Sequence, residues 1–283
     1  MREFLEAKDR LLGIAYGITG DLGAAEDIVQ DAWIRLSRAD GVDDVTGWLV
    51  VTTSRLALDH VRSARFRREQ YVGPWLPEPL VDGPEDRITM AESVNMALLV
   101  VLETLSPAER TVFVLHEVFG LPFVEVAEAV GRSPAAVRQL AARARKHVRA
   151  RTPRYDLDRG QQQRVVEAFA KACGGRDLDG LMRLLDPDVV LNSDGGGLVK
   201  AARNPVLGSG KVARFLVGIG RQTAVEFHPV LVNGWAGLLR FVDGRLHSVV
   251  ALTTADGRVT AIDLVANPEK LTRVRTMLDR EEK

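Results

Sequence analysis

FVEVAEAVGRSPAAVRQLAARARKHVR, residues 123–149, decides how the chain is read. Ala127 is followed after four residues by Gly131, after six more by Val137 and after three more by Leu140. That spacing matches a helix-turn-helix: a small residue where two helices cross, Gly in the turn, then apolar residues that dock the second helix. Ser133 suits the cap of that helix, and Pro134 its first position, where no amide hydrogen is needed. Val137, Leu140, Ala141, Ala144 and Val148 form one apolar stripe, and Gln139, Ala142, Arg143 and Lys146 the opposite one, flanked by Ala135, Ala136 and Arg138. Over residues 132–154 every charged side chain is basic: Arg132, Arg138, Arg143, Arg145, Lys146, Arg149, Arg151 and Arg154. Gln can pair with adenine and Arg with guanine in the major groove, and surrounding cations hold phosphates. A basic run alone is usually a solvated face. Spacing, cap and the lack of acids together predict contact with DNA.

Upstream, Ala25, Ile28, Val29, Ala32, Trp33 and Leu36 fall on one face of a helix whose other face carries Glu26, Asp27, Gln30 and Asp31. A further helix is expected from about Thr46 through Trp48, Leu49, Leu56 and His60 into a basic end with Arg62, Arg65, Arg67 and Arg68. Pro74, Pro77, Pro79 and Pro84 then break helical geometry and mark a linker. Helix resumes over about 91–151, with Ser106-Pro107 as a start. Downstream, helical patterns near 161–173 and 177–185 precede apolar segments separated by Asn233-Gly234, Asp243-Gly244 and Asp256-Gly257. These dipeptides suit hairpin turns, so 225–265 reads as a four-stranded antiparallel meander. The expected fold class is multidomain: two all-α domains followed by an α+β domain. Boundaries fall at 1–70, 71–90, 91–153 and 158–283.

With 283 residues, 38 Lys+Arg balanced by 38 Asp+Glu and 46% hydrophobic residues, the chain has the composition of a soluble globular protein. No apolar stretch approaches a membrane span, and the N-terminus lacks a signal-peptide core, so a cytoplasmic location without membrane partners is expected. The single Cys173 and the scattered His60, His116, His147, His228 and His247 predict neither an internal disulfide nor a metal site, and no cofactor is expected.

Residues 10–36 (RLLGIAYGITGDLGAAEDIVQDAWIRL), then Gly47-Trp48-Leu49 and the basic run to Arg68, resemble region two of the extracytoplasmic-function (ECF) sigma factors; residues 105–148 resemble their region four. The resemblance covers about half the chain, in the family's order and spacing. It implies a sigma factor that partners core RNA polymerase, through the clamp helices of the β′ subunit, and promoter DNA. Asp27, Gln30 and Asp31 would dock polymerase, with Trp33 in the core. Trp48, Arg55, Asp59, Arg62 and Arg65 would handle the minus-10 strand, Trp48 as a stacking platform or equally as a core anchor. Ser133, Ala135, Arg138, Gln139, Arg143 and Lys146 would read the minus-35 element.

The C-terminal half resembles the SnoaL-like α+β cone carried by one group of these factors. Three motifs carry the likeness: Trp75-Leu76-Pro77-Glu78-Pro79, Asp194-Gly195-Gly196-Gly197 and Asn267-Pro268-Glu269-Lys270-Leu271, the last with Glu269 where the family often has Asp. Trp75, Leu76, Pro77, Asp194, Gly195, Gly196, Gly197, Asn267, Pro268 and Lys270 are thereby candidates for a regulatory interdomain contact. The Gly run reads either as a close backbone approach or as a surface turn. An unknown small ligand in the cone is a further candidate partner. SnoaL-like folds also host isomerases and cyclases, so Asp188, Asp194, His228 and Asp263 are candidate acid or base groups. Asp263 is the foremost of them, because alternation sets it and Ala261 opposite Ile262 and Leu264 on its strand, a candidate for facing the cavity. No second catalytic group is fixed by spacing, and the chain is read as a non-enzyme. The competing reading is a DNA-binding regulator that acts without polymerase.

Overall fold

A computed structural model of the chain describes residues 2–68, 71–81, 95–155, 158–219 and 224–281, with side chains for these except 2, 64–68 and 281. Contacts divide it into two compact units. The first contains α1 (Arg2–Thr19), α2 (Leu22–Leu36), α3 (Val45–Arg68), most of α4 (Met96–Leu102), α5 (Pro107–Phe113), α6 (Phe123–Val130) and α7 (Pro134–Arg151).

Local chemistry sets these boundaries. The Asp21 carboxylate accepts from the amide of Ala24 and caps α2, and Asp44 accepts from the amide of Gly47 at the start of α3. Ser106 and Glu109 form a reciprocal capping box at α5. Helix α5 runs on into one π turn, Val114–Val118. The predicted α2 stripe is inside, with Ala25, Ile28, Val29 and Ala32 buried, and Trp33 half-buried against the ring of Phe4 at 4.5 Å. Helices α1, α2 and α3 pack together, and α3 also packs on α5 and α6, so the two all-α segments share one unit. Arg110, 1% exposed, donates from Nε to the Gly17 carbonyl of α1 and pairs with Glu103. A Cβ on Gly17 would lie 3.0 Å from the Val114 side chain, so a small residue there permits this approach.

The second unit takes in the described parts of Tyr71–Arg87, Asn95–Ala97 and Pro153–Lys283. Its elements are α8 (Arg159–Gly174), α9 (Leu178–Leu184), β1 (Leu185–Asp194), β2 (Val206–Leu207), α10 (Ser209–Ile219), β3 (Val225–Val232), β4 (Trp235–Val242), β5 (Arg245–Ala255), β6 (Arg258–Val265) and α11 (Thr272–Glu281). The sheet order is β2-β1-β6-β5-β4-β3. The meander β3–β6 forms as expected: Asn233, Asp243 and Asp256 have φ near +50°, and each following Gly is also positive, the geometry of type I′ turns. Beyond the expected four strands, β1 pairs parallel to β6 and β2 pairs antiparallel to β1. Phe169, Leu181, Leu191, Val212, Leu238, Val250, Ile262 and Leu264 join helices and sheet in one apolar core. Buried Gln162 links α8 to the sheet, donating to the Leu252 carbonyl and accepting from the Ala236 amide, both at 3.1 Å.

Candidate functional site

The helix-turn-helix is built from α6 and α7. Gly131 ends α6 at φ +68°, a backbone that other residues adopt at a cost, and the Arg132 amide returns to the Ala127 carbonyl at 3.0 Å. Ser133 Oγ accepts from the Ala136 amide, and Pro134 opens α7. Val137, Leu140, Ala141, Ala144 and Val148 are buried, as their spacing requires. Ala135, Arg138, Gln139, Arg143 and Lys146 are exposed on the other side, as is Ser133. Arg143 donates from Nε to Glu109 at 3.1 Å, and the Arg138 guanidinium lies over the Phe123 ring at 5.6 Å. Burial of Glu109 opposes its ionisation, yet hydrogen bonds from Ser106 and Arg143 hold its carboxyl below the usual range. An ion pair as exposed as Arg143–Glu109 contributes about 1 kcal/mol or less, so a phosphate or base can displace it.

On α2, Asp27, Gln30 and Asp31 are exposed along one face. On α3, Trp48 is half-buried, Asp59 and Arg62 pair at 3.2 Å, and the side chain of Arg65 lies outside the described residues. Arg55 is engaged in a way its spacing did not announce: it donates to the Glu128 carbonyl at 3.0 Å and faces the Glu128 carboxylate at 3.8 Å, tying α3 to α6.

The three short motifs converge in the second unit. Because β1 and β6 run parallel, with Asp194 opposite Val265, the segments leaving both strands emerge at the same end of the sheet. There the Asp194 carboxylate, fully buried, accepts from Tyr71 Oη at 2.6 Å, the Leu76 amide at 2.9 Å, the Gly196 amide at 3.0 Å and Lys270 Nζ at 2.7 Å. Lys270 also donates to the Leu76 carbonyl and sits 3.9 Å from the centre of the Trp75 ring. Asn267 donates to Tyr71 Oη at 2.8 Å and accepts from the Glu269 amide. Burial and the Asp194 carboxylate push the Tyr71 phenol far up, so it serves as a donor. Leu76 and Pro77 are buried, and Glu78 meets Arg273 at 3.5 Å. Past the motif, Leu80 exchanges hydrogen bonds with Asn233, and Val81 bridges Val232.

The Gly run is a close-approach site. A Cβ on Gly195 would come within 2.5 Å of the Val199 carbonyl, and one on Gly196, at φ +63°, within 2.6 Å of the Asn267 side chain. Gly197, at φ +74°, faces Val72. Nothing in the sequence assigns Tyr71 to this network beyond its nearness to the Trp75 motif, and Asn233 reads there as a hairpin-turn residue and not as a partner of Leu80.

The acid and base candidates do not assemble. Asp188 and His228 are exposed, and Asp194 belongs to the linker network. Asp263 does not face the cavity: Ile262 and Leu264 point into the core toward the helices, and Asp263 on the opposite face accepts from Asn192 Nδ2 at 2.8 Å. Among the described residues no cluster of His, Cys, Asp and Glu is suited to a metal, and no helix is long and apolar enough to cross a membrane.

A paired three-helix segment and helix-turn-helix define the sigma-70 class of transcription initiation factor. Residues 4–67 match the family model for sigma-70 region 2, and residues 95–148 that for sigma-70, region 4. The chain is 42% identical over 288 residues to the ECF RNA polymerase sigma factor SigJ of Mycobacterium tuberculosis, covering 95% of this chain and 92% of that protein. It is 39% identical over 277 residues to the probable ECF RNA polymerase sigma factor SigI of the same species, covering 95% and 93%. The crystal structure of Mycobacterium tuberculosis SigJ superposes with a TM-score of 0.81 at 38% identity, covering 96% of this chain and 98% of that one. The chain belongs to the ECF RNA polymerase sigma factors: it binds RNA polymerase and directs promoter recognition, and it is an initiation factor, not an enzyme. The reading as a regulator independent of polymerase is thereby set aside.

Proposed function

We propose that the C-terminal domain regulates this sigma factor by holding the linker between region two and region four. The observation that carries this reading is the buried Asp194 carboxylate, which gathers two linker donors, Tyr71 and Leu76, and one from the third motif, Lys270. A chain spans at most about 3.3–3.6 Å per residue, so pinning residues 71–81 withdraws up to about 40 Å of reach from the tether between regions two and four. Two promoter elements separated along DNA require that reach. In the same proposal, Asp27, Gln30 and Asp31 dock on the β′ clamp helices, and Trp48, Arg55, Asp59, Arg62 and Arg65 handle the minus-10 strand. Ser133, Ala135, Arg138, Gln139, Arg143 and Lys146 read the minus-35 element. The protein works in the cytoplasm, and the interior of its C-terminal cone takes a small ligand.

The test is transcription in vitro with core polymerase on one promoter set, comparing the intact chain, a chain ending at Asp158 and Gly195–Gly197 replaced by bulkier residues. Output should change severalfold while the ranking of promoters stays fixed, because a two-state device alters the population of competent molecules and not their DNA contacts. Equal output from all three at matched folded concentrations refutes the regulatory role.

A further inference from the structure

The two oxygens of the Glu109 carboxylate on α5 have separate tasks. Oε2 closes the capping box, accepting from Ser106 Oγ at 2.6 Å and from the Ser106 amide at 3.3 Å, whereas Oε1 accepts from Arg143 Nε on α7 at 3.1 Å. The anchor is sheltered and the arm is not: the Glu109 side chain is 21% exposed, that of Arg143 61%. Among the described residues Arg143 is the one candidate minus-35 reader held by a carboxylate, and its two Nη groups donate to nothing in the chain. Arg reads guanine through two parallel N–H groups, and Nε and both Nη groups belong to one rigid planar fork. Fixing Nε therefore fixes the plane in which the Nη groups lie, and a base that takes them leaves the Nε bond in place. The cap does not account for the charge of Glu109. A capping box accepts Gln as well as Glu at this position, and an Asp in the first turn also complements the helix dipole. A carboxylate beside DNA repels phosphates, so for affinity alone a neutral residue would serve better.

We propose that Glu109 is a positioning residue for promoter specificity: it grips Arg143 by Nε and presents the two Nη groups to one guanine of the minus-35 element. The inference rests on the reading that Arg143 contacts the minus-35 element, and adds how that side chain is aimed. An exposed Arg pays for ordering its long side chain when it binds, and an anchor that has already restricted the rotamers lowers that cost for the matching base alone. The cap bonds from Ser106 keep the carboxylate itself from turning away.

The experiment titrates the full chain, assembled with core polymerase, on one promoter and on its single minus-35 substitutions, for the wild type, Glu109→Gln, Arg143→Ala and the double variant. Glu109→Gln should reduce discrimination severalfold at the same base pair that Arg143→Ala affects. Its binding to the substituted promoters should be unchanged or raised, because the repelling charge is gone, whereas a merely structural loss would weaken every promoter. The double variant should discriminate no worse than Arg143→Ala, the mark of two groups that act as one. Glu109→Asp keeps the charge but draws the carboxylate back from Arg143 by one methylene, so it should lose discrimination in the same way. It also decides the matter if Glu109→Gln fails to fold by circular dichroism. Additive losses, an intact base preference in the Glu109 variants, or equal weakening on every promoter overturns the positioning role and leaves Arg143 as a reader. If Arg143→Ala shifts no base preference, the base contact itself is refuted and this inference with it.

Discussion

The Asp194 carboxylate is fully buried and accepts four hydrogen bonds, one of them from a Lys270 side chain that is itself 13% exposed. Breaking a buried ion pair by removing one partner typically costs about 3–5 kcal/mol, because the remaining charge is left without compensation. Asp194→Asn should therefore release the linker. Amide exchange at Leu76, whose hydrogen is donated to Asp194, should quicken by at least tenfold, while core amides of β5 keep their protection. Asp263 on β6 is buried as well. Its burial raises the carboxyl to about 6 against a weaker lowering by the Asn192 hydrogen bond. The folded-state value lies above that of an unfolded aspartate, about 4, so the folded chain holds this proton more tightly. The stability from this group is complete below about pH 4, is lost as pH rises to about 6, and is level above that. The loss amounts to about 3 kcal/mol at most by linkage. Asp263→Asn should stabilise the chain at pH 7 and flatten that part of the profile, as followed by urea unfolding between pH 5 and 7.5.

Helix α7 reads its role from one face, and the structure adds how that face is held. The buried stripe docks on the rest of the unit, and Arg138, Gln139 and Arg143 stand free of it except for the stacking on Phe123 and the pair with Glu109. Replacing a base-reading residue by Ala should cost about 1–3 kcal/mol and relax preference at one minus-35 position, whereas loss of a phosphate contact should weaken all promoters alike. Gel-shift titration of single variants on a promoter with point changes separates the two. Unaltered binding after all three substitutions would remove α7 from the interface. Helix α3 carries a competing demand, since Arg55 cannot hold both Glu128 and a DNA strand with the same guanidinium. Glu128→Ala removes the carboxylate at 3.8 Å and leaves the carbonyl bond, so it should loosen Arg55 in part and increase minus-10 strand binding by isolated sigma factor modestly, measured by fluorescence anisotropy with a labelled single strand.

The whole molecule distributes three tasks over two units. Regions two and four sit together in the first, and the linker that joins them in sequence belongs to the second. A fragment of residues 1–153 keeps the apolar stripes of both regions and loses Asp194 and Lys270, so Tyr71 and Leu76 of the linker are left without their anchor. It should remain helical by circular dichroism and bind core polymerase by gel filtration. A folded fragment that fails to bind, where the intact chain succeeds, places part of the docking surface after residue 153.

Much of this was legible in the chain alone because it is local. The α7 stripe, the Ser106 and Ser133 caps, the Gly131 turn and the three hairpin dipeptides each depend on residues within a turn or two of one another, and backbone geometry fixes their spacing. The linker motif and its two distant counterparts were recognisable as words, but their meeting point was not. Only the parallel pairing of β1 with β6 brings Asp194 and Lys270 to one end of the sheet, and no local preference encodes a pairing across some seventy residues. The same holds for Arg143 against Glu109, for Arg55 against Glu128 and for the side of β6 on which Asp263 falls. Each is set by which strand or helix becomes a neighbour, a choice made by burial of the whole core and not by the residues that end up in contact.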